Sequence, residues 1–257
     1  MDLEDEFSDV IAKAMAGLEL DPTELARKAG ISPCEIEGLL HGDLEESCVY
    51  QIAPYLELDA VAVINLAKYV PEQSDIAGIR RLELPFRQWT VNAWEIEKDG
   101  VRLLFDTGLG ENDIVDTLGD RIPSAVFITH AHPDHTGGVK ALRDRGVRII
   151  SEKEALAGEV FEFGDIKVES VNLSGHCEPA VGYFLSGLKK QLLISGDAIF
   201  AGSIGRCGSK RTYELALETL RQVLAQAQPG CVMLPGHGPA STVESEMRSN
   251  PFRIGFS

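Results

Sequence analysis

The sequence predicts an α/β domain over residues 71–257, preceded by a small all-α domain over residues 1–70. Three observations support this fold class. Residues 1–70 hold 15 acidic and 4 basic residues, whereas residues 71–257 hold 25 and 20, so the charge balance changes along the chain. The first region spaces its apolar residues as helices do, and the second alternates strand-like and helical segments. A chain of 257 residues is long enough for one large and one small domain.

Apolar residues in the first region recur at the spacing of a helix face. Phe7, Val10, Ile11 and Ala14 form one such set. A second helix is predicted to start at Asp21, because a capping Asp is followed there by Pro in the first turn. No strand-like alternation interrupts this pattern. The region is therefore predicted to be a small helical bundle.

Part of this bundle carries the pattern of a known DNA-binding module. Ala26 lies in the middle of the first helical segment, Gly30 lies at the turn, and Ile36 lies at a core position of the next segment. In these features residues 22–42 resemble the helix-turn-helix of the Cro/C1-type repressor family. The resemblance extends over residues 9–68.

The second helix of such a module, here residues 33–40, enters the major groove of DNA. Its polar residues are Glu35 and Glu37, and it has no Arg, Lys, Asn or Gln that could contact phosphates or base edges. An acidic surface repels DNA. DNA binding is therefore a minority hypothesis, and we expect the module to serve packing or self-association into a homo-oligomer.

Composition excludes several classes of protein. No apolar stretch approaches the length of a membrane span, and residues 1–6 are acidic where a signal peptide would be basic. The protein is therefore expected to be soluble and cytoplasmic, with no membrane partner. The 5 cysteines include no Cys-x-x-Cys pair, so reduced thiols are expected.

Each strand-like segment of the second region leads into a histidine or an aspartate. Open α/β sheets place their ligands at the carboxyl ends of strands, where a rigid backbone can position several side chains accurately. The segments and the polar residues that follow them are residues 101–105 with Asp106, 125–129 with His130, 168–171 with His176, 192–195 with Asp197, and 232–234 with His237.

The histidines predict a metal site, most simply one for two ions. His130, His132, Asp134 and His135 lie close together in the sequence, in a pattern that scattered structural histidines would not produce. Neutral imidazoles combined with carboxylate oxygens suit zinc, iron or manganese. His41 has no such neighbours and is interpreted as an exposed turn residue.

Four motifs in this order resemble the metallo-β-lactamase superfamily. They are His-x-His-x-Asp-His at 130–135, Gly-His at 175–176, Ser-Gly-Asp at 195–197 and Pro-Gly-His-Gly-Pro at 235–239. The resemblance covers the chain from about residue 80 onward. It implies an αββα sandwich, in which two sheets are flanked by helices.

The resemblance also implies the role of each site residue. His130, His132 and His176 would hold one metal, Asp134, His135 and His237 would hold the other, and Asp197 would bridge the two. Asp106 matches an aspartate that supports the ligands from outside. The expected cofactors are two divalent ions, most simply zinc, with iron or manganese as alternatives.

Two metals so placed predict hydrolysis by a bridging hydroxide, with Asp134 orienting it and accepting a proton. The segment from Ser195 to Arg206 resembles the short glyoxalase II-like branch, whose members are hydroxyacylglutathione hydrolases or related hydrolases. The expected substrate is a small thioester or related ester, because a thiolate leaves readily. Cys207 and Gly208 stand where that branch usually has Thr-Asp, so glutathione recognition is left open.

Three alternatives remain at this stage. A persulfide dioxygenase of the same fold would use a single iron, although its relatives commonly show Pro-Ala-His-Asp where this chain has Pro-Gly-His-Gly at 235–238. A β-lactamase or lactonase would use the same two metals. A DNA-binding regulator is a lower alternative.

Overall fold

The computed structural model describes residues 3–72 and 76–256. Residues 1 and 2, with which the acidic N-terminus begins, lie outside the described residues. The first region is helical, as the sequence predicts. It contains α1 (Phe7–Gly17), α2 (Pro22–Ala29), α3 (Pro33–Leu40), α4 (Glu46–Leu56), α5 (Ala60–Ile64) and a 3-10 turn (Leu66–Lys68).

Capping residues set the bounds of α2 and α3. The Asp21 side chain accepts a hydrogen bond from the Glu24 backbone N–H at 2.8 Å, and Gly30 ends α2 in the left-handed conformation, at φ 73°. Ser32 and Glu35 form a reciprocal capping box at the start of α3. The helix predicted to start at Asp21 is therefore confirmed, since a side-chain cap satisfies backbone donors that the helix cannot.

The first sheet has five strands in the order β1-β2-β3-β4-β5. The first three are antiparallel, and β4 and β5 then add parallel to β3. They are β1 (Ile79–Phe86), β2 (Trp89–Lys98), β3 (Val101–Phe105), β4 (Ala125–Phe127) and β5 (Arg148–Ile150).

The second sheet has six strands in the order β13-β12-β9-β8-β7-β6. A small hairpin of β10 and β11 lies between β9 and the helix that follows in the chain. The strands are β6 (Val160–Phe163), β7 (Ile166–Asn172), β8 (Val181–Ser186), β9 (Leu192–Gly196), β10 (Ile199–Phe200), β11 (Ser203–Ile204), β12 (Val232–Pro235) and β13 (Ser241–Thr242).

Helices cover the outer faces of both sheets. The helices of this part of the chain are α6 (Asp113–Leu118), α7 (Pro133–Thr136), α8 (Val139–Asp144), α9 (Lys210–Leu224), α10 (Val243–Ser249) and α11 (Arg253–Phe256). One core joins the two sheets face to face, with Phe105 and Phe127 of the first packed against Tyr183 of the second. A second core lies between the first sheet and α6 and α8. The predicted αββα sandwich is therefore confirmed.

A third core lies on the outer face of the second sheet. It contains buried residues of α9, such as Leu220, together with residues of α1 to α4, such as Ile11 and Ile52. The end of α1 approaches α9 closely, because a Cβ added to Gly17 would lie 2.4 Å from the ring of Tyr213. The helical region thus packs on the sandwich through a continuous apolar core. None of the described helices is long and apolar enough to cross a bilayer.

Candidate metal centre

The predicted site residues lie in loops and in one short helix at one edge of the sandwich. His130 and His132 follow β4, and the short α7 carries Asp134 and His135. His176 follows β7, Asp197 follows β9 and His237 follows β12. The segments that follow four strands thus contribute to one cluster, and the structure brings together every residue that the sequence singled out as a candidate ligand.

The first ligand group consists of His130, His132, His176 and Asp197. His132 Nδ1 lies 3.1 Å from His130 Nε2 and 3.1 Å from His176 Nε2. Asp197 Oδ2 lies 3.9 Å from His130 Nε2 and 3.8 Å from His176 Nε2. The ligand atoms of these four residues all lie within 4.8 Å of one another, close enough for one metal ion to contact all of them.

The second ligand group consists of Asp134, His135, Asp197 and His237, and all four residues are buried. His237 Nε2 lies 3.4 Å from Asp134 Oδ2 and 3.5 Å from Asp197 Oδ2. His135 Nε2 lies 3.3 Å from Asp197 Oδ1. Asp197 belongs to both groups, as a bridging carboxylate requires.

Asp106 lies behind the cluster and holds two of its components. Its Oδ2 accepts hydrogen bonds from His135 Nδ1 at 2.8 Å and from Thr129 Oγ1 at 2.8 Å, and its Oδ1 accepts one from the Thr129 backbone N–H at 2.8 Å. Asp106 adopts φ 60°, which is uncommon for a residue other than Gly. A carboxylate that accepts from Nδ1 leaves Nε2 of His135 facing the ligand point.

Other histidines are oriented by groups that the sequence analysis did not identify. Thr129 Oγ1 lies 3.0 Å from His130 Nδ1. The backbone carbonyl of Arg206 lies 2.7 Å from His176 Nδ1, and that of Thr90 lies 3.1 Å from His237 Nδ1. Every residue type has a backbone carbonyl, so no sequence signal could have identified the last two.

Two glycines give the backbone the room that this cluster requires. A Cβ at Gly236 would lie 2.2 Å from Asp197 Oδ1, and a Cβ at Gly205 would lie 1.9 Å from the backbone oxygen of Asp197. A larger residue would displace the Asp197 side chain if it stood at position 236, and the Asp197 backbone if it stood at position 205.

Protonation differs between the two groups. Burial, followed by the charge of His135, lowers the pKa of His130 to about 2, which leaves the neutral imidazole that metals bind. Burial opposes protonation of His237 too, but hydrogen bonds to Asp134 and Asp197 raise its pKa to about 10. Without a cation, the second group therefore holds protons between imidazole and carboxylate, and a metal would displace them.

The buried polar atoms of the second group fit a metal ion. His135 Nε2 and Asp197 Oδ1 are both buried, and neither has a hydrogen-bond partner within the part of the chain that the structure describes. An unpaired polar atom in the interior costs free energy, and a cation coordinated by both atoms would remove that cost. The donor set of imidazole and carboxylate suits zinc, iron or manganese.

The start of the helical region also contacts this site. Glu4 Oε1 lies 3.7 Å from His237 Nδ1, and burial is the main cause that raises the pKa of Glu4. The rings of Phe86 and Phe200 lie 5.6 Å and 5.8 Å from the imidazole of His237, between centroids. No signal in the sequence identifies Glu4, because more than two hundred residues separate it from His237.

Comparisons with known proteins agree with this architecture. Residues 87–170 match the family model of the metallo-β-lactamase superfamily. The B3 metallo-β-lactamase BLEG-1 superposes with a TM-score of 0.56 at 24% identity, covering 68% of this chain and 99% of that one. The sandwich has the metallo-β-lactamase fold. ETHE1 from Myxococcus xanthus has a TM-score of 0.55 at 20% identity, covering 69% of this chain and 87% of that one.

Sequence relatives extend this result. The probable metallo-hydrolase YqgX of Bacillus subtilis is 26% identical over 210 residues, which cover 68% of this chain and 97% of the relative. The hydroxyacylglutathione hydrolase GloC of Haemophilus influenzae is 25% identical over 201 residues, which cover 65% of this chain and 93% of the relative. The chain is thus similar to metallo-hydrolases in sequence, matches the superfamily model over residues 87–170 and shares the metallo-β-lactamase fold.

Proposed function

We propose that this protein is a dinuclear metal-dependent hydrolase that cleaves a thioester or a related small ester. The observation that carries the proposal is the pair of ligand groups that share Asp197. Two ligand groups that share a carboxylate would hold two cations close together, and such an arrangement is typical of two-metal hydrolysis.

Zinc is the favoured metal, with iron or manganese as alternatives that suit the same ligands. Two divalent cations supply Lewis acidity and activate water at neutral pH. His130, His132 and His176 would hold one of them, Asp134, His135 and His237 the other, and Asp197 would contact both. All other functions of the site come from the chain's own side chains.

Asp134 is the proposed proton acceptor. Its Oδ2 lies 3.4 Å from His237 Nε2 and 3.8 Å from His135 Nε2. Burial opposes its ionisation, but hydrogen bonding to His237 and the charge of His135 lower its pKa. A carboxylate that stays ionised can orient a water molecule beside the substrate, and with a lowered pKa it would hold the water's proton only transiently.

The thioester class follows from the leaving group and from the relatives. A thiol has a pKa of about 8.5 and leaves as thiolate without a general acid, whereas an amine needs protonation. The relative from Haemophilus influenzae is named a hydroxyacylglutathione hydrolase and the one from Bacillus subtilis a probable metallo-hydrolase. Both names support a hydrolase, and the name of the first supports a small thioester as the substrate.

Several further expectations belong to this proposal. The boundary between a helical domain at residues 1–70 and the hydrolase domain at residues 71–257 rests on the change in charge and pattern. We also propose a cytoplasmic location, a helix-turn-helix-like first domain and a homo-oligomer formed through that domain, all three from the sequence alone. DNA binding is disfavoured, because Glu35 and Glu37 of α3 are exposed and acidic.

The test combines elemental analysis with hydrolysis assays. The purified protein is expected to carry two equivalents of metal and to hydrolyse S-lactoylglutathione or another member of a thioester panel. His132→Ala should lose metal from the first group and lose activity by at least about 100-fold. His41→Ala is the matched control, since His41 is exposed at the end of α3.

The outcomes separate the alternatives. A fully metal-loaded protein that cleaves no thioester would contradict the proposal. One iron per chain together with oxygen consumption on a persulfide would identify the dioxygenase instead. Cleavage of a β-lactam or a lactone in place of thioesters would keep the dinuclear site and change the substrate class.

A further inference from the structure

Residues 3–5, which precede α1, lie against the loop that carries His237. A Cβ added to Gly238 would lie 3.3 Å from the backbone nitrogen of Glu4 and 3.4 Å from its Cβ. The Glu4 carboxyl group reaches His237 on its outer side, where Oε1 lies 3.7 Å from Nδ1. Nε2 of the same ring faces the carboxylates of the second ligand group. Glu4 therefore stands behind the imidazole, away from the ligand atom.

The same residues are attached to the β10–β11 hairpin, which follows the shared aspartate. Lys13 of α1 pairs with Asp5 and donates a hydrogen bond to the Ile204 carbonyl at 2.8 Å. Both side chains of the ion pair are largely buried, at 12% and 10% exposure. At the turn of the hairpin, a Cβ added to Gly202 would lie 3.6 Å from the Leu3 side chain. Residues 3–5 thus connect this hairpin with the loop described above.

Two acceptors stand at Nδ1 of His237, and they differ in charge. The backbone carbonyl of Thr90 accepts the hydrogen bond of Nδ1 at 3.1 Å. The Glu4 carboxyl group, at 3.7 Å, lies at the distance of an ion pair rather than of a hydrogen bond. The carbonyl can orient the ring, whereas the carboxylate adds a charge. Because only 27% of the Glu4 side chain is exposed, water screens this charge incompletely.

The charge of Glu4 favours a cation at the opposite nitrogen of the ring. An imidazole that binds a dication through Nε2 becomes more positive at Nδ1, and a carboxylate behind the ring stabilises that form. A proton competes for Nε2, but a dication carries twice the charge of a proton. Attraction by Glu4 therefore favours the metal over the proton.

We infer that Glu4 is a positioning residue for the second ligand group, and that the helical region strengthens metal binding there through residues 3–5. The outer contacts of the first group come from Thr129 and Arg206, which belong to the sandwich. The effect of Glu4 is therefore selective for the second group. The inference rests on the proposed metal-dependent function and deepens it, because it makes metal retention at one group depend on the helical region.

The experiment measures the affinity of each group for Zn²⁺ by competition with a chromophoric chelator. His132→Ala leaves the second group intact, and His237→Ala leaves the first group intact. Glu4→Gln keeps the size of the side chain and removes its charge. In the His132→Ala background, Glu4→Gln should weaken Zn²⁺ binding by roughly tenfold. In the His237→Ala background, the same change should weaken it by less than about twofold.

Glu4→Asp tests whether the charge is responsible. This variant keeps the carboxylate on a shorter side chain, so we expect it to retain most of the affinity that Glu4→Gln loses, within about threefold of the natural residue. Glu37→Gln is the matched control, because Glu37 is exposed on α3 and makes the same change of group. It should change neither affinity. The melting temperature of each metal-free variant distinguishes a loss of charge from a damaged fold.

The inference is overturned if Glu4→Gln weakens neither group or weakens both equally. It is also overturned if Glu4→Asp loses as much affinity as Glu4→Gln, since the carboxylate would then have no specific effect.

Because these measurements use no substrate, they separate the inference from the proposed reaction. A selective loss of affinity in Glu4→Gln supports the inference even where no thioester is cleaved. Hydrolysis of thioesters by a protein whose Zn²⁺ affinity does not respond to Glu4→Gln contradicts the inference and leaves the proposed function intact. A His132→Ala chain that binds no Zn²⁺ contradicts both the dinuclear site and the inference.

Discussion

Each imidazole of the metal centre has one nitrogen at the ligand point, and several have the other nitrogen fixed by the protein. Asp106 holds His135, Thr129 lies against His130, and backbone carbonyls contact His176 and His237. A ring that is fixed on one side loses little freedom when a metal binds on the other. The centre is therefore preorganised by contacts that lie outside the ligand set.

Asp106→Asn tests this orientation at the scale of one residue. The amide has one acceptor oxygen, so it cannot accept from both His135 Nδ1 and the two donors of Thr129 as the carboxylate does. We expect the affinity for metal at the second group to fall by roughly 10-fold to 100-fold. Competition with a chromophoric chelator measures this affinity.

Asp116→Asn is the control for that measurement, because Asp116 is exposed on α6 and makes the same change of group. Its metal affinity should equal that of the natural chain. Unchanged affinity in Asp106→Asn would mean that the orientation of His135 does not depend on the carboxylate.

The candidate ligands can be predicted from the sequence, because metal ions bind only a few residue types. His and Asp in a dense pattern, such as His130 to His135, are visible without any structure. The contacts of Thr90 and Arg206 are not visible, because they use backbone carbonyls. Glu4 is one of many acidic residues in its region, and only folding brings it to His237.

At the scale of elements, the ends of strands position the site. β4, β7, β9 and β12 each end just before a candidate ligand, and the parallel pairing of β9 with β12 places Asp197 and His237 on the same edge. Alternation of strand-like and helical segments predicts this placement. It does not predict the pairing order of the sheets, because that order depends on contacts between segments far apart in the chain.

Glu246 joins several elements around the β10–β11 hairpin. It is fully buried in α10 and accepts hydrogen bonds from Tyr69, Ser241, Gly202 and Asn250. Burial raises the pKa of its carboxyl group, and the four donors offset that effect in part. The network connects the end of the helical region with the hairpin that lies beside Asp197.

Glu246→Ala should lower the free energy of unfolding by about 3 kcal/mol, because it leaves buried donors without an acceptor. Denaturant titration measures this change. Glu214→Ala, at an exposed position of α9, should change stability by less than about 0.5 kcal/mol. Equal stability of the two variants would show that the network contributes nothing beyond a surface carboxylate.

At the scale of the whole molecule, the helical region and the sandwich share an apolar core. Ile11 of α1 and Leu220 of α9 are both fully buried in it. Separation of the two regions would expose this surface to water, at a cost proportional to the area uncovered. The charge difference along the sequence predicts two regions, but it carries no information on how much surface they bury against each other.

Ile11→Ala tests whether the two regions unfold together. Both tryptophans of the chain, Trp89 and Trp94, lie in β2, so tryptophan fluorescence reports on the sandwich alone. Removing a fully buried isoleucine side chain costs about 2 to 5 kcal/mol. Because the core is continuous, we expect the fluorescence midpoint to fall together with the helical signal in circular dichroism.

Val61→Ala, at a position that is 56% exposed, should shift neither midpoint. A fluorescence midpoint that stays constant while the helical signal shifts would show that the two regions unfold independently.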